Sequence, residues 1–174
     1  MAADRPTLVL MPGLDGSGAL FAAFEKLIAG NWKYQSIRYP ADLPSSVDAY
    51  AAHVERAIGA EHRVILLAES FSGPIAIRLA ARLGERVKAL VLCASFATRP
   101  HLLVRWASHV PQALLSGMAR QRWALRWFCV GRHAPGSLLD AVEAELSRLS
   151  GNTIKRRLQM LIAPDAATTL LQLE

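Results

Sequence analysis

Val64-Ile-Leu-Leu-Ala-Glu-Ser-Phe-Ser-Gly-Pro-Ile-Ala-Ile-Arg-Leu-Ala80 is the stretch that decides the fold, because an apolar strand pattern runs directly into a small-residue turn and then a helix pattern. Such a unit can hold one side chain, that of Ser70, in a tight and exposed bend. A nucleophilic serine needs this position, because its hydroxyl must project above the sheet while the next backbone N–H and the helix N-terminus face the developing oxyanion. The stretch therefore predicts Ser70 as a nucleophile.

The residues two before and two after such a serine must be small, because larger side chains would collide across the bend. With Ser70 as nucleophile these residues are Ala68 and Ser72, so the Gly-x-Ser-x-Gly pattern is present as Ala-x-Ser-x-Ser. If Ser72 were the nucleophile, Pro74 would occupy the second small position, whereas Pro74 fits better as an early helix residue. The alternative is an ordinary strand-to-helix loop in which Ser70 only caps the helix.

Short aliphatic runs alternate with helical patterns over the first half of the chain. Predicted strands lie at 7–11, 35–39, 64–67 and 89–93, and predicted helices lie at 19–29, 47–58 and 75–83. Gly59 and Gly84 follow the last two helices, where glycine commonly ends a helix. This alternation predicts an α/β fold with a doubly wound, mostly parallel sheet and right-handed crossovers.

The second half of the chain has a helical pattern and no further convincing strand. Gly136 or Ser137 can begin a helix that runs to about 149, Asn152 is the predicted N-cap of a helix at 153–162, and 165–174 has the pattern of one or two helical turns. We therefore predict two parts: an α/β core with the serine turn at 1–97, and a helical, cap-like segment at 98–174.

Composition limits the class of protein. The chain has 174 residues, 52% of them hydrophobic, and a formal charge of +6, which fits a globular domain with anionic partners. The opening apolar run is too short for a secretory signal or a membrane span, so we expect a soluble, cytoplasmic protein. Cys93 and Cys129 are predicted to be buried free thiols. No metal or organic cofactor is implied.

The loop after the first strand reads Met11-Pro-Gly-Leu-Asp-Gly-Ser-Gly-Ala-Leu-Phe21. Its glycines let backbone N–H groups turn toward a common point, as an oxyanion hole or an anion nest requires. The loop lacks the Gly-x-x-x-x-Gly-Lys-Ser/Thr pattern, and its glycine order is the reverse of the dinucleotide fingerprint. Because both loops follow the carboxyl ends of strands expected to be neighbours, we interpret them as two halves of one acyl-transfer site.

These two motifs resemble those of the α/β-hydrolase superfamily, specifically small bacterial esterases and lipases with a Pro-Gly-Leu-Asp-Gly-Ser-Gly loop and a Glu-Ser-Phe-Ser-Gly elbow. The resemblance covers 7–97 well, and the helical remainder is similar to a cap domain only in kind. It implies that Ser70 attacks the carbonyl of a small-molecule acyl ester, and that the backbone N–H groups of Phe71 and Leu14 form the oxyanion hole. Gly13 would permit the close backbone approach.

The chain departs from this family in lacking the two later strands that carry the acid and the histidine of a triad. A serine hydroxyl is a weak nucleophile without a base in hydrogen-bond reach. His53 and His62 are expected at the end opposite the site. The cap-like segment contains five further histidine and aspartate side chains that could serve as base or acid but have no assigned role: His101, His109, His133, Asp140 and Asp165. A gene fragment, a partner chain that completes the site, or a degenerate hydrolase would each explain the departure, and we favour the fragment.

Two expectations about partners follow. The predicted fourth strand would be an uncovered apolar edge, which favours a homo-oligomer or strand-swapped dimer. Arginine and tryptophan are interleaved in the cap-like segment at 105–106, 122–123 and 126–127, with Lys155-Arg-Arg157 following. We interpret this as helices whose Trp and Leu residues cover an acyl pocket while the arginines face water. Docking of an acidic acyl carrier protein and binding at a membrane surface stay open, whereas nucleic-acid binding rests on charge alone and is not expected.

The sequence therefore favours a serine hydrolase acting on carboxylic esters through an acyl-enzyme at Ser70. The alternative is a non-catalytic, hydrolase-like module that binds an acyl group or another protein.

Overall fold

Four parallel strands form the sheet at the centre of the computed structural model, which describes residues 5–98, 121–126, 130–161 and 166–173. Their order is β2-β1-β3-β4, with β1 and β3 in the middle. The strands are β1 (Thr7–Met11), β2 (Tyr34–Ser36), β3 (Val64–Glu69) and β4 (Val87–Cys93). The predicted α/β class with a parallel sheet is confirmed.

Helices cover both faces of this sheet, because alternate residues of the central strands point to opposite sides. On one face Leu8 and Leu10 pack with Phe21 and Ile28, beside α1 (Ala22–Ile28). The other face carries the larger core, built from β1, β3, α2 (Val47–Ile58) and α3 (Gly73–Leu83). The sheet is therefore doubly wound.

The predicted boundaries hold for α2 and for the end of α3, which begins at Gly73 and not at Ile75, and they shift for several other elements. β2 is three residues long and begins at Tyr34, although the N–H of Ile37 still donates to the carbonyl of Leu10 at 2.9 Å. β3 and β4 extend further than predicted, and Cys93 at the end of β4 is exposed, so its predicted burial is wrong. Cys129 lies outside the described residues.

The described part of the C-terminal half contains α4 (Arg122–Leu125), α5 (Gly136–Ser147), α6 (Gly151–Met160) and α7 (Ala167–Leu170). α6 begins two residues earlier than predicted, because the side chain of Ser150, and not that of Asn152, accepts the N–H of Thr153 as its N-cap.

These C-terminal helices pack in two places. α4 and α5 share a small core that includes Leu125 and Leu139. Met160 of α6 belongs to the larger core beside the sheet, and α7 packs against α3. None of the helices in the described ranges is long and apolar enough to cross a membrane.

Candidate active site

Ser70 stands at the point where β3 turns into a single 3₁₀ turn, Ser70–Ser72, ahead of α3. Its φ is +48°, a left-handed conformation that residues with a Cβ rarely adopt. The side chain is half-buried, and the side chain of α3's N-cap residue, Ser72, forms no capping hydrogen bond. This is the sharp strand-to-helix bend expected of a nucleophile elbow, and it is not the geometry of a helix-capping Ser70.

The two small residues that flank Ser70 are both fully buried, as expected where larger side chains would collide across the bend. Ala68 and Ser72 have no exposed surface. Ser72 also does more than fit: its hydroxyl donates to the carbonyl of Pro12 at 2.5 Å and lies 2.7 Å from the hydroxyl of Tyr39. Because the single Ser72 proton is used on Pro12, Tyr39 is the donor to Ser72. Burial raises the pKa of Tyr39, which keeps this donor protonated.

A second contact fixes the elbow from the side of β4. The hydroxyl of Ser95 donates to the carbonyl of Ser70 at 2.6 Å. A Cβ at Gly73 would lie 1.9 Å from Ser95 Oγ, so only glycine permits this close approach. Ala94, just before Ser95, also has a positive φ of 46°. The loop after β4 therefore helps to hold the backbone of the proposed nucleophile.

The glycine-containing loop after β1 lies against the elbow, since Met11 and Ala68 are paired residues of adjacent strands. The N–H of Gly13 donates to Glu69 Oε2 at 3.2 Å, and a Cβ at Gly13 would lie 3.0 Å from Glu69 Oε1. Burial, and next the nearby Asp15 carboxylate, raise the pKa of Glu69, and the Gly13 N–H offsets part of this. Glu69, to which the sequence motifs assign no role, thus links the two loops.

Arg157 of α6 holds the same loop from the other side, although 143 positions separate it from Leu14. Arg157 as a residue is 1% exposed, and its guanidinium donates to the carbonyls of Leu14, Asp15 and Tyr39 at 2.7, 2.8 and 3.0 Å. The expectation that arginines of this segment face water is wrong for Arg157. Nothing in the local sequence distinguishes it from Arg156, because its partners are distant in the chain.

The structure thus brings Gly13, Leu14, Ser70 and Phe71 to one end of two adjacent parallel strands, at the carboxyl edge where open α/β sheets bind ligands. Asp15 stabilises the loop internally, because its carboxylate accepts both the N–H and the hydroxyl of Ser17, at 2.8 and 2.6 Å. The arrangement can present backbone N–H groups of the loop and the elbow to an oxygen beside Ser70.

His53 and His62 were expected at the end opposite the site, but His53 lies beside Tyr39, whose hydroxyl contacts Ser72 of the elbow. His53 Nε2 lies 2.8 Å from the carbonyl of Arg38, and its ring centroid is 6.3 Å from that of Tyr39. His62 and His133 are exposed. Within the described ranges no histidine forms a hydrogen bond with Ser70.

Of the other candidate acids and bases, His133 and Asp140 lie in the described residues, and neither forms a hydrogen bond with Ser70 there. Asp140 is paired with Arg122 at 2.5 Å on the surface of the C-terminal helices. His101, His109 and Asp165 lie outside the described residues.

No family model and no curated protein matches the sequence. Several solved structures match the fold over nearly the whole chain. The enol-lactonase of Burkholderia xenovorans matches with a TM-score of 0.78 and 14% identity, over 99% of this chain and 70% of that one. The N-formylmaleamic acid deformylase of Pseudomonas putida matches with a TM-score of 0.72 and 18% identity, over 98% of this chain and 71% of that one.

An esterase of Exiguobacterium antarcticum matches with a TM-score of 0.71 and 16% identity, over 98% of this chain and 71% of the esterase. All three are α/β-hydrolases, as are the other solved structures found to match at this level. The parallel sheet, the helices on both of its faces and the bend at Ser70 agree with that likeness, and the chain has the α/β-hydrolase fold.

Proposed function

We propose that this protein is a serine hydrolase that cleaves carboxylic esters through an acyl-enzyme on Ser70. The observation that carries the proposal is the left-handed backbone of Ser70 at the end of β3, directly beside the glycine-containing loop after β1. A bend of this kind is strained, and strained backbone in a folded protein is concentrated at functional sites.

The geometry supports the following chemistry. Ser70 Oγ forms a bond to the acyl carbon while its proton passes to a base, and the carbonyl oxygen becomes an oxyanion held by the N–H groups of Phe71 and Leu14. Collapse of this intermediate breaks the ester C–O bond, and the leaving alcohol takes the proton from the base. Water then attacks the acyl-enzyme in the same way, which releases the carboxylic acid and restores Ser70.

The base must come from outside the described residues, because a general base has to lie within hydrogen-bond reach of the hydroxyl. His101 and His109 are the candidates of this chain, and a partner chain is the other source we propose. The matched structures are longer than this chain, which covers 70% to 71% of the three described above.

The activities named for the similar structures support an acyl substrate. An esterase and a lactonase both open an ester bond, and a deformylase removes a formyl group. In each case a nucleophile adds to a carbonyl carbon, and this is the step that the elbow and the glycine-containing loop would serve. The ester is our choice within that class, because the two motifs resemble those of esterases and lipases.

A second candidate function is a non-catalytic module that binds an acyl group without cleaving it. One observation favours it: no histidine of the described residues forms a hydrogen bond with Ser70. The two functions differ in whether the Ser70 hydroxyl is activated.

Labelling with a fluorophosphonate probe, followed by intact mass, tests this directly. We expect one adduct on the wild-type protein, no adduct on Ser70→Ala, and an unchanged adduct on Ser137→Ala, a control at an exposed serine of α5. A folded wild-type protein that stays unlabelled would contradict the hydrolase proposal and favour the binding module. Loss of label in both variants would mean that the adduct does not report Ser70.

A further inference from the structure

We infer that Arg157 is the positioning residue of the oxyanion hole: its buried guanidinium fixes the loop whose Leu14 N–H binds the oxyanion. This inference rests on the proposed ester hydrolysis for its catalytic consequence. Arg157 does not touch the reacting atoms, so it acts through the backbone it holds. Nothing in the motifs at 11–21 or 64–80 points to it.

The hydrogen bonds of Arg157 converge on the loop and its support. Nη1 donates to the carbonyls of Leu14 and Asp15, and Nη2 donates to the carbonyl of Tyr39. Nε donates to the hydroxyl of Tyr50 at 3.3 Å. Four of the five guanidinium protons therefore have acceptors, which is what a fully buried cation requires.

The peptide group between Gly13 and Leu14 is held on both sides. Its N–H belongs to Leu14 and is the proposed oxyanion donor. On one side, the preceding N–H of Gly13 is bound by Glu69, and on the other side, the carbonyl of Leu14 is bound by Arg157. Fixing both neighbours restricts rotation of the peptide between them. A donor held in place before the reaction stabilises an oxyanion more than one that must reorient.

The loop is built around this guanidinium. Gly16 has a φ of +67°, and a Cβ there would lie 2.4 Å from Nη1 of Arg157. The carbonyl of Gly16 in turn accepts the N–H of Tyr39 at 2.8 Å, so Tyr39 joins the loop and the guanidinium through its backbone. A lysine cannot replace this pattern, because its single ammonium group lacks the planar fork that reaches three carbonyls at once.

The test compares Arg157→Lys with Met160→Ala. Met160 is on the same helix and buried in the larger core, so its truncation destabilises the protein without removing a hydrogen bond to the loop. Two quantities are measured where all variants are folded: backbone hydrogen exchange of the segment 12–18, and the rate constant of Ser70 labelling by the fluorophosphonate.

For Arg157→Lys we expect exchange in 12–18 to rise at least tenfold above that of Met160→Ala, and the labelling rate constant to fall about tenfold or more, since small displacements of catalytic groups have effects of this size. Exchange in 12–18 that is equal in the two variants overturns the inference, as does equal labelling at raised exchange. If the wild-type protein is not labelled at all but exchange rises as expected, the hydrolase proposal fails and Arg157 stands as the residue that fixes the loop.

A wild-type measurement decides the case in which Arg157→Lys does not fold. The segment 12–18 should then exchange much more slowly than the exposed segment 40–46 of the same molecule. Equal exchange of the two segments would show that Arg157 does not hold the loop, and would overturn the inference.

Discussion

Ser70 is held in a conformation that a glycine would adopt more easily. A left-handed residue with a Cβ costs about 1–2 kcal/mol, so removing the Cβ at Ser70 should relieve strain at its φ of +48°. We therefore expect Ser70→Gly to be more stable than Ser70→Ala by about 1 kcal/mol in urea unfolding, with both variants unreactive toward the probe.

The control for this prediction is a glycine placed where the backbone is helical. Ala141 is exposed in the interior of α5, and Ala141→Gly should lower stability by about 1 kcal/mol. If Ser70→Gly is instead less stable than Ser70→Ala, the strain at Ser70 is not real.

At the scale of single residues, the sequence identified the groups whose role is local. Ser70, Ala68 and Gly13 stand in patterns that require small side chains or a sharp bend. Tyr39 and Arg157 do not, because the loop after β2 and helix α6 bring them to the site only in the folded chain. Ser72 was identified as a small residue, yet its hydrogen bonds to Pro12 and Tyr39 depend on the neighbouring loop.

At the scale of elements, the prediction succeeded where start and stop signals are strong. α2 ends at Ile58 before Gly59, and α3 ends at Leu83 before Gly84, both as predicted. β2 was predicted to run too far, because Ile37 and Tyr39 are buried at alternate positions and extend the strand pattern beyond Ser36. The N-cap of α6 was misplaced because Ser150 and Asn152 are both good capping residues, and only the fold decides between them.

The contact between the β3 end and the loop after β1 brings two carboxylates together, and this predicts a pH dependence. Because the pKa of Glu69 is raised, the folded state holds this proton more tightly than the unfolded chain. The contribution of protonated Glu69 to the free energy of unfolding is therefore lost as the pH rises from the ordinary glutamate pKa, near 4.5, through the raised pKa of Glu69. Above that window the loss is complete.

Glu69→Gln should remove this loss, because the amide oxygen can still accept the N–H of Gly13 but cannot ionise. Relative to wild type, the variant should gain stability in urea unfolding as the pH rises above 4.5. Glu85→Gln, at an exposed position, controls for the change in net charge. A difference between Glu69→Gln and wild type that is constant with pH would contradict the prediction.

At the scale of the whole molecule, β4 is the least protected part of the sheet. Among the residues that the structure describes, it pairs with β3 alone, on one side, and none of its seven residues is buried. Val91 is 43% exposed. A cavity of about 720 Å³ beside β4 is lined by apolar side chains such as Leu90, Leu92 and Leu173 together with polar ones such as Lys88 and Gln172. An apolar edge strand with a single lysine, Lys88, has little to prevent it from pairing with another strand.

We expect a second copy of the chain to pair there, which makes the protein a dimer. A two-fold axis places the same strand of both copies side by side, and this requires β4 to pair antiparallel with its counterpart. The pairing would join the two sheets into one and bury Val91 of each copy. Val91→Lys should then dissociate the dimer, because like charges brought close across paired strands repel.

Light scattering after size exclusion would show the outcome. The wild-type protein should have the mass of two chains at micromolar concentration, and Val91→Lys should have the mass of one. Leu27→Lys replaces another exposed apolar residue, 78% exposed on α1, and should stay dimeric because it lies on a helix away from β4. A monomeric wild type would contradict the prediction, and dissociation of both variants would place the interface elsewhere.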